Sequence, residues 1–340
     1  MSARLIDIAA KAGISHAAVS YVLNGRPCKV GAAMREKILK TADRLGYRPN
    51  NSARAVRMGR HGAVALIMSH NTHHSLLAPE LMSGVARELA RNRLRMLVDY
   101  VADEQLTSEK FLPRLLRERG CDGMLLNYSA GVPPMLGELA ERFQLPTVWL
   151  NSRNDFNSVH PDDFGAARLA TETLLAGGHR RVAYLDAMFN ATLASGDLHF
   201  SKPARRAGYE AAMRAARRAP ELLLDLVTPG LGRRDAVAAS VAGLRAVFNR
   251  RRPAPSTAVI AYGAWDIGVL RQIPDGPGRA VEIMSFGHND NALNDQCVRG
   301  LVVPLGEIGA RAVAMLLRRI ANPAPVPSEV VPFRWADAAS

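Results

Sequence analysis

The sequence predicts an α/β protein: a small N-terminal three-helix head with a helix-turn-helix, followed by a larger domain of doubly wound parallel sheets in two lobes. Three observations carry this reading. Before residue 46, apolar residues keep helical spacing in three short segments; beyond residue 62, short apolar runs alternate with longer amphipathic stretches. The chain has 340 residues and is 48% hydrophobic, which is too long for one ordinary core and suits two to three folded domains.

In the head, Leu5, Ile8, Ala9 and Ala12 form one apolar stripe, and Gly13 supplies the freedom to leave the helix. Ser15 is a good N-cap for a second helix, SHAAVSYVLN, in which Val19, Val22 and Leu23 point inward. The opposite face carries His16, Ala17, Ser20, Tyr21 and Asn24. Two short helices on a tight turn are the helix-turn-helix plan, whose second helix presents its N-terminal side chains to base edges in the major groove; the plainer alternative is a helical hairpin with a polar face. A third helix is predicted over Gly31 to Leu45, with Gly46 as left-handed cap and Pro49 as block. Residues 1 to 60 hold 12 Lys and Arg against 3 acids, most of the chain's formal +13. On a helix-turn-helix, that density is the footprint of a phosphate-binding surface.

LIDIAAKAGISHAAVSYVLNG, then VGAAMREKILKTADRLGYRPN and ARAVR, resembles the head of the lactose/galactose-repressor (LacI/GalR) family of bacterial transcription regulators. The resemblance runs more loosely through the rest of the chain. It implies a regulator of transcription, in the family's usual role a repressor, that binds double-stranded operator DNA as a homodimer, its affinity controlled by a small-molecule effector such as a sugar, a sugar acid or phosphate, or a related metabolite. It places Ser15, His16, Ala17, Ser20, Tyr21, Asn24, Arg54 and Val56 at DNA. The family usually has Arg where this chain has Tyr21, so the bidentate contact of an Arg to guanine is lost and the half-site should differ. His16 and Tyr21 are expected at bases, Ser20 and Asn24 at phosphates.

The head is expected over residues 1–50 and a hinge over 51–61. Ala53 to Met58 can form barely two turns, marginal in water without support. By resemblance, two such hinge helices pack in the minor groove, and Val56 stands at the position of an apolar wedge, one carbon smaller than the family's Leu. A plain flexible linker is the alternative.

Residues 62–340 form the expected effector and dimerisation domain. Apolar runs at 63–68, 95–100, 123–127, 147–151, 182–186, 222–227, 258–262 and 282–286 read as eight strands, with a pause near 155–165 between two lobes. This order resembles the periplasmic-binding-protein plan, in which ligand sits between lobes at the carboxyl ends of the strands. Lobe 1 is expected at about 62–161 and 291–322, lobe 2 at about 162–290 and 323–340, with the GLVVPLGEIG stretch returning the chain to lobe 1. Expected effector contacts are His70, Asn71, Asn151, Arg205, Tyr262 and His288. Arg205 falls at a family Arg position, though an Arg at a helix start is often a surface ion-pair partner. The family's cleft carboxylates are replaced by Tyr262, Gly263, Gly287 and His288, which argues against a neutral sugar and for an acidic or phosphorylated ligand.

No other chemistry competes. His70, His73 and His74 in HNTHH lack a neighbouring carboxylate or Cys, so no metal is expected. SGDLH places Ser, Asp and His in sequence rather than in space, and GLGRRD lacks the context of a phosphate loop. No enzyme and no cofactor are expected; a solute-binding protein of the same fold and a regulator whose effector site has lapsed are the alternatives. Three scattered cysteines fit no disulfide framework. Without a signal peptide or an apolar run of spanning length, the chain is expected in the cytoplasm with no membrane partner.

Overall fold

The structure is a computed structural model that describes residues 3–48, 59–71, 74–102, 120–196, 198–224, 226–227, 230–249, 256–273, 281–295 and 298–337. The hinge residues Arg54 and Val56 lie outside the described residues, as does His73. The chain divides into two compact units, residues 1–61 and 62–340.

The first unit holds α1 (Leu5–Ala12), α2 (His16–Leu23) and α3 (Ala32–Arg44). The α1 helix stops at Gly13, whose φ of 73° lets its N–H turn back to the carbonyl of Ala9. Ser15 then accepts the backbone N–H of Ala18 at 3.2 Å, the N-cap bond its position predicts. Ile8, Ala9, Ala12, Val19, Val22, Ile38 and Ala42 close the small core. The predicted third helix agrees with α3, and Gly46 is left-handed at φ 62°.

The second unit alternates strands and helices: β1 (Ala63–Ser69), α4 (Pro79–Arg91), β2 (Arg95–Val101), β3 (Gly123–Asn127), α5 (Pro134–Arg142), β4 (Thr147–Leu150), β5 (Ser158–Pro161), α6 (Asp163–Ala176) and β6 (Val182–Leu185). There follow α7 (Phe189–Ser195), α8 (Ser201–Ala215), β7 (Glu221–Leu223), α9 (Arg233–Phe248), β8 (Ala258–Ala261), α10 (Ala264–Leu270) and β9 (Glu282–Gly287). The last elements are α11 (Asp290–Asn294), β10 (Arg299–Val302), α12 (Leu305–Ala321), β11 (Glu329–Val331) and β12 (Arg334–Trp335).

Two six-stranded sheets result, in the orders β11-β5-β4-β3-β1-β2 and β12-β10-β9-β8-β6-β7. The first is parallel throughout; in the second only β12 runs antiparallel, against β10. The strands read as unbroken apolar runs because both faces are covered. In β1, Val64, Leu66 and Met68 enter one core while Ala65 and Ile67 enter the core on the other face. In β8, Ala258 and Ile260 face one way and Val259 the other. One helix contact is unusually close: a Cβ on Gly84 of α4 would lie 2.0 Å from the carbonyl oxygen of Gly306, and one on Gly309 of α12 would lie 2.6 Å from that of Leu81.

The strand pairing redraws the expected lobe limits. Residues 299–302, assigned to lobe 1 by sequence, form β10 beside β9 in the second sheet, and residues 329–331, assigned to lobe 2, form β11 beside β5 in the first. The chain therefore crosses between lobes after β5, after β10 and after β11. The expected pause near 155–165 contains β5, SVHP, whose Pro and His disguise a strand buried along its length.

Candidate functional site

The head presents Ser15, His16, Ala17, Tyr21 and Asn24 to solvent, with Ser20 half-buried beside them. Tyr21 is 44% exposed although its ring is large and apolar, so burial does not explain its place on α2. The Asn24 amide turns back on its own helix, donating to the Ser20 carbonyl at 2.7 Å. It closes the C-terminal turn as well as standing on the exposed face.

In the second unit, a cavity of about 400 Å³ opens between the lobes, at the carboxyl ends of strands from both sheets. Four of the six residues expected there by sequence line it: Asn151, Arg205, Tyr262 and His288. Asn151 follows β4 in a left-handed conformation, φ 50°, which turns the chain out of the sheet. Tyr262 follows β8, and His288 follows β9.

His70 and Asn71 are not brought to this cavity. The backbone N–H of His70 still bonds the carbonyl of Val101, so the chain leaves β1 along the edge strand β2, and the exposed imidazole sits 3.1 Å from the Tyr100 carbonyl. The end of β1 thus serves the sheet edge, and the cleft wall on that side comes from Leu76, Ala78 and Leu81 instead.

Arg205 is buried and held from all sides. Its Nε donates to Asp163 Oδ1 at 2.7 Å and a terminal nitrogen donates to the Tyr262 carbonyl at 3.0 Å. The guanidinium lies 4.8 Å from the Tyr262 ring centre and 4.4 Å from that of Phe286. Burial raises the Asp163 carboxyl, and the Arg205 charge opposes that rise. Asp163 Oδ2 is buried, has no partner, and belongs to a residue of the cavity wall. A donor from a ligand would complete it.

Beside this pair, the His199 imidazole takes the Ser201 hydroxyl at 2.6 Å, and Ser201 meets the Tyr262 hydroxyl at 2.8 Å. The Asn151 backbone, on the other lobe, favours a proton on His199. Burial first, then the charges of Arg205 and Lys202, push His199 down to about 3. Burial and Arg205 also lower His288, against the pull of Glu80. Beneath Tyr262, Lys202 lies 4.3 Å from the ring centre and donates to Asp186 at 2.6 Å. Burial and the neighbouring Asp186 raise Asp266 to about 7 while it accepts the N–H groups of Ala187 and Gly263.

Sequence reasoning missed Asp163, His199 and Phe286. Asp163 follows the unrecognised strand β5, and its neighbour Asp162 is the helix cap, accepting the Gly165 N–H at 2.9 Å. His199 stood inside SGDLH, a stretch set aside because its Ser, Asp and His are adjacent only in sequence. Among the described residues, no His, Cys, Asp and Glu group could hold a metal ion.

Comparison with known proteins gives the family. The sequence model of "Bacterial regulatory proteins, lacI family" matches residues 4–50, and that of "Periplasmic binding proteins and sugar binding domain of LacI family" matches residues 64–260. The chain belongs to the LacI family. Among its relatives, this LacI-family chain is 32% identical to the maltose regulon regulatory protein MalI of Escherichia coli (strain K12) over 53% of its own length and 52% of that protein. It thus spans about half of that relative. It is 25% identical to the HTH-type transcriptional regulator AglR of Rhizobium meliloti (strain 1021), over 85% of its length and 78% of the relative. Its fold is that of the lac repressor dimer bound to operator and the anti-inducer ONPF, at TM-score 0.73 with 18% identity, 99% of this chain and 98% of that one covered. A complex of the regulator CelR with cellobiose has the same fold, at TM-score 0.59 and 22% identity over 98% of each chain.

Proposed function

We propose that this LacI-family chain is a homodimeric, sequence-specific transcription regulator that holds double-stranded operator DNA with its head and responds to a small molecule in the interlobe cavity. The observation that carries the DNA reading is α2: a capped helix with a solvent-facing row of Ser15, His16, Ala17 and Tyr21, in a head dense with Lys and Arg. Arg54 and Val56 complete the proposed DNA contacts from the hinge. Val98 and Tyr100, 42% and 52% exposed on the edge strand β2, offer an apolar face of the kind self-association covers. The protein is read as a binding protein of the cytoplasm and not as an enzyme, since the cleft's Arg205 and the Lys202 beneath it are tied to carboxylates. No described helix is long and apolar enough to cross a membrane.

Operator binding measured against salt tests the reading: affinity should fall steeply, as counterions released by phosphate contacts require. In a randomised-operator selection, Tyr21→Arg should change the preferred base at one half-site position. An affinity indifferent to salt, or an unchanged base preference, counts against it.

The effector we propose is a neutral polyhydroxylated ring, in place of the acidic ligand that the loss of family carboxylates suggests. Asp163 restores a carboxylate to the cavity wall with Oδ2 unpartnered, while Arg205 brings no spare charge. Asn151 and His288 stand ready for further polar contacts; His70 and Asn71 are outside this site. In a thermal-shift screen, a neutral sugar at a hundred times its Kd should stabilise the protein by about 2.7 kcal/mol. Asp163→Asn should weaken that ligand at least about tenfold, the worth of roughly one charge-assisted hydrogen bond. A screen in which only sugar phosphates or sugar acids act would overturn the proposed class.

A further inference from the structure

We propose that the amino-terminal edge of the second sheet is a further DNA-binding surface, one that holds the phosphate backbone of a duplex without reading its sequence. It belongs to the second unit, not to the helix-turn-helix head, and lies at the opposite end of the strands from the cleft.

Two loops build it. GGHRR (177–181) leads from α6 into β6, and RAARRAP (214–220) leads from the last turn of α8 into β7; together they hold five arginines and no acid. β6 and β7 are parallel neighbours with Ala183 opposite Glu221, and the same register carried back three residues brings Arg180 opposite Arg218. Residues 61–340 as a whole hold 32 Lys and Arg against 28 acids, so this concentration is local and not a by-product of general basicity.

The carboxylates beside these loops are already committed. Glu210 takes Arg206 and Arg214 of its own helix, Glu221 lies 3.6 Å from Arg181 and accepts the Ser256 hydroxyl, and Glu282 is paired with His179. Arg180, Arg217 and Arg218 are exposed, and none of them forms an ion pair or a side-chain hydrogen bond among the described residues.

The fold alone does not call for these arginines. α6 and α8 end in the same way, with a left-handed residue whose N–H, like that of the next residue, turns back onto the last turn: Gly178 (φ 94°) and His179 after α6, Arg217 (φ 53°) and Arg218 after α8. Glycine is the usual occupant of that position because a side chain is disfavoured there, yet α8 carries an arginine. A cation near the carbonyl end of a helix suits the helix dipole, but Arg214 in the last turn already supplies one.

The rest of the edge selects the partner. Between the arginines, the exposed residues of the two loops are glycines and alanines. No large apolar side chain stands there to anchor a protein or enter a lipid surface, and no exposed aromatic ring to stack an unpaired base. Guanidiniums among small residues suit the phosphate oxygens of a duplex, which ask only for charge and hydrogen bonds.

The test is capture of a second duplex by full-length protein. Protein is held on bead-tethered operator obtained by randomised selection, the excess is washed away, and a fluorescent duplex of unrelated sequence is added. The parent should capture it at about 50 mM salt and release it steeply as salt rises. The triple variant Arg180→Gln, Arg217→Gly, Arg218→Gln should stay on operator but capture at least about tenfold less tightly, with a salt slope smaller by up to about 3. Arg217→Gly alone should keep or raise the urea midpoint, since glycine suits the left-handed turn, while capture weakens. Undetectable capture by the parent, or unchanged capture by the triple variant, overturns the proposal. So does stronger capture of single-stranded RNA, poly-glutamate or anionic vesicles than of duplex. Should no protein stay on operator beads, it is the operator reading that fails; parent and triple variant are then compared on beads that hold the protein through an appended tag, where equal salt slopes overturn the proposal.

Discussion

Replacing Arg205 with Ala is expected to destabilise the two-lobed domain by about 3–5 kcal/mol, the usual cost of stranding one partner of a buried ion pair. Burial already raises the Asp163 carboxyl, and without Arg205 nothing of opposite charge would hold either of its oxygens. The ring contacts of Tyr262 and Phe286 with the guanidinium would be lost as well. Denaturant unfolding, followed by a probe in residues 62–340, measures the effect. The companion variant Asp163→Leu with Arg205→Met separates charge from shape. Apolar replacements of similar volume should recover most of the stability while abolishing ligand binding. Equal destabilisation in the single and double variants would mean that the pair's packing, and not its charge, holds this wall of the cleft.

The second large effect is expected at the contact between α4 and α12. Gly84→Val should cost about 3 kcal/mol or more, the upper end of overpacking, because the first added carbon meets backbone that cannot rotate away. A Cβ there falls 2.0 Å from the Gly306 carbonyl oxygen, and the opposing Gly309 leaves no room for α12 to slide, its own Cβ meeting the Leu81 carbonyl at 2.6 Å. Gly268→Ala is the control. That glycine lies within α10 with nothing within 4 Å of its would-be Cβ, so the change should be neutral or stabilising by up to ~1 kcal/mol. Similar urea midpoints for Gly84→Val and Gly268→Ala would refute the close-contact account.

Most of the fold was legible because its strands are buried on both faces, which writes them into the sequence as compact apolar runs such as AVALIM and AVIAY. The strands that escaped notice or were given to the wrong lobe are those with weaker signatures. β5 contains His160 and Pro161, while β11 is a three-residue edge strand. Which sheet receives β10 or β11 is decided by long-range pairing, and no local pattern records that. The site divides in the same way. Asn151, Tyr262 and His288 could be placed because they directly follow strands, and Arg205 because it sits in a recognisable helix. Asp163 and His199 depend on neighbours from elsewhere in the chain: Asp163 on Arg205 of α8, and His199, through Ser201, on the Tyr262 hydroxyl after β8. His70 shows the converse, a residue at a strand end that the sheet edge claims for itself.

The late crossings have a consequence for how the molecule is made. β11 and β12 are the last described strands to leave the ribosome, yet each closes the edge of a different sheet, covering β5 in one and β10 in the other. Until they emerge, both lobes carry an unpaired strand edge, the kind of surface that recruits other chains. Neither lobe can be finished first. A growing chain of this protein therefore holds two incomplete sheets open together and seals them within a few residues of each other, so that stalled synthesis near the end of α12 should yield aggregation-prone nascent chains rather than one folded lobe with a loose tail.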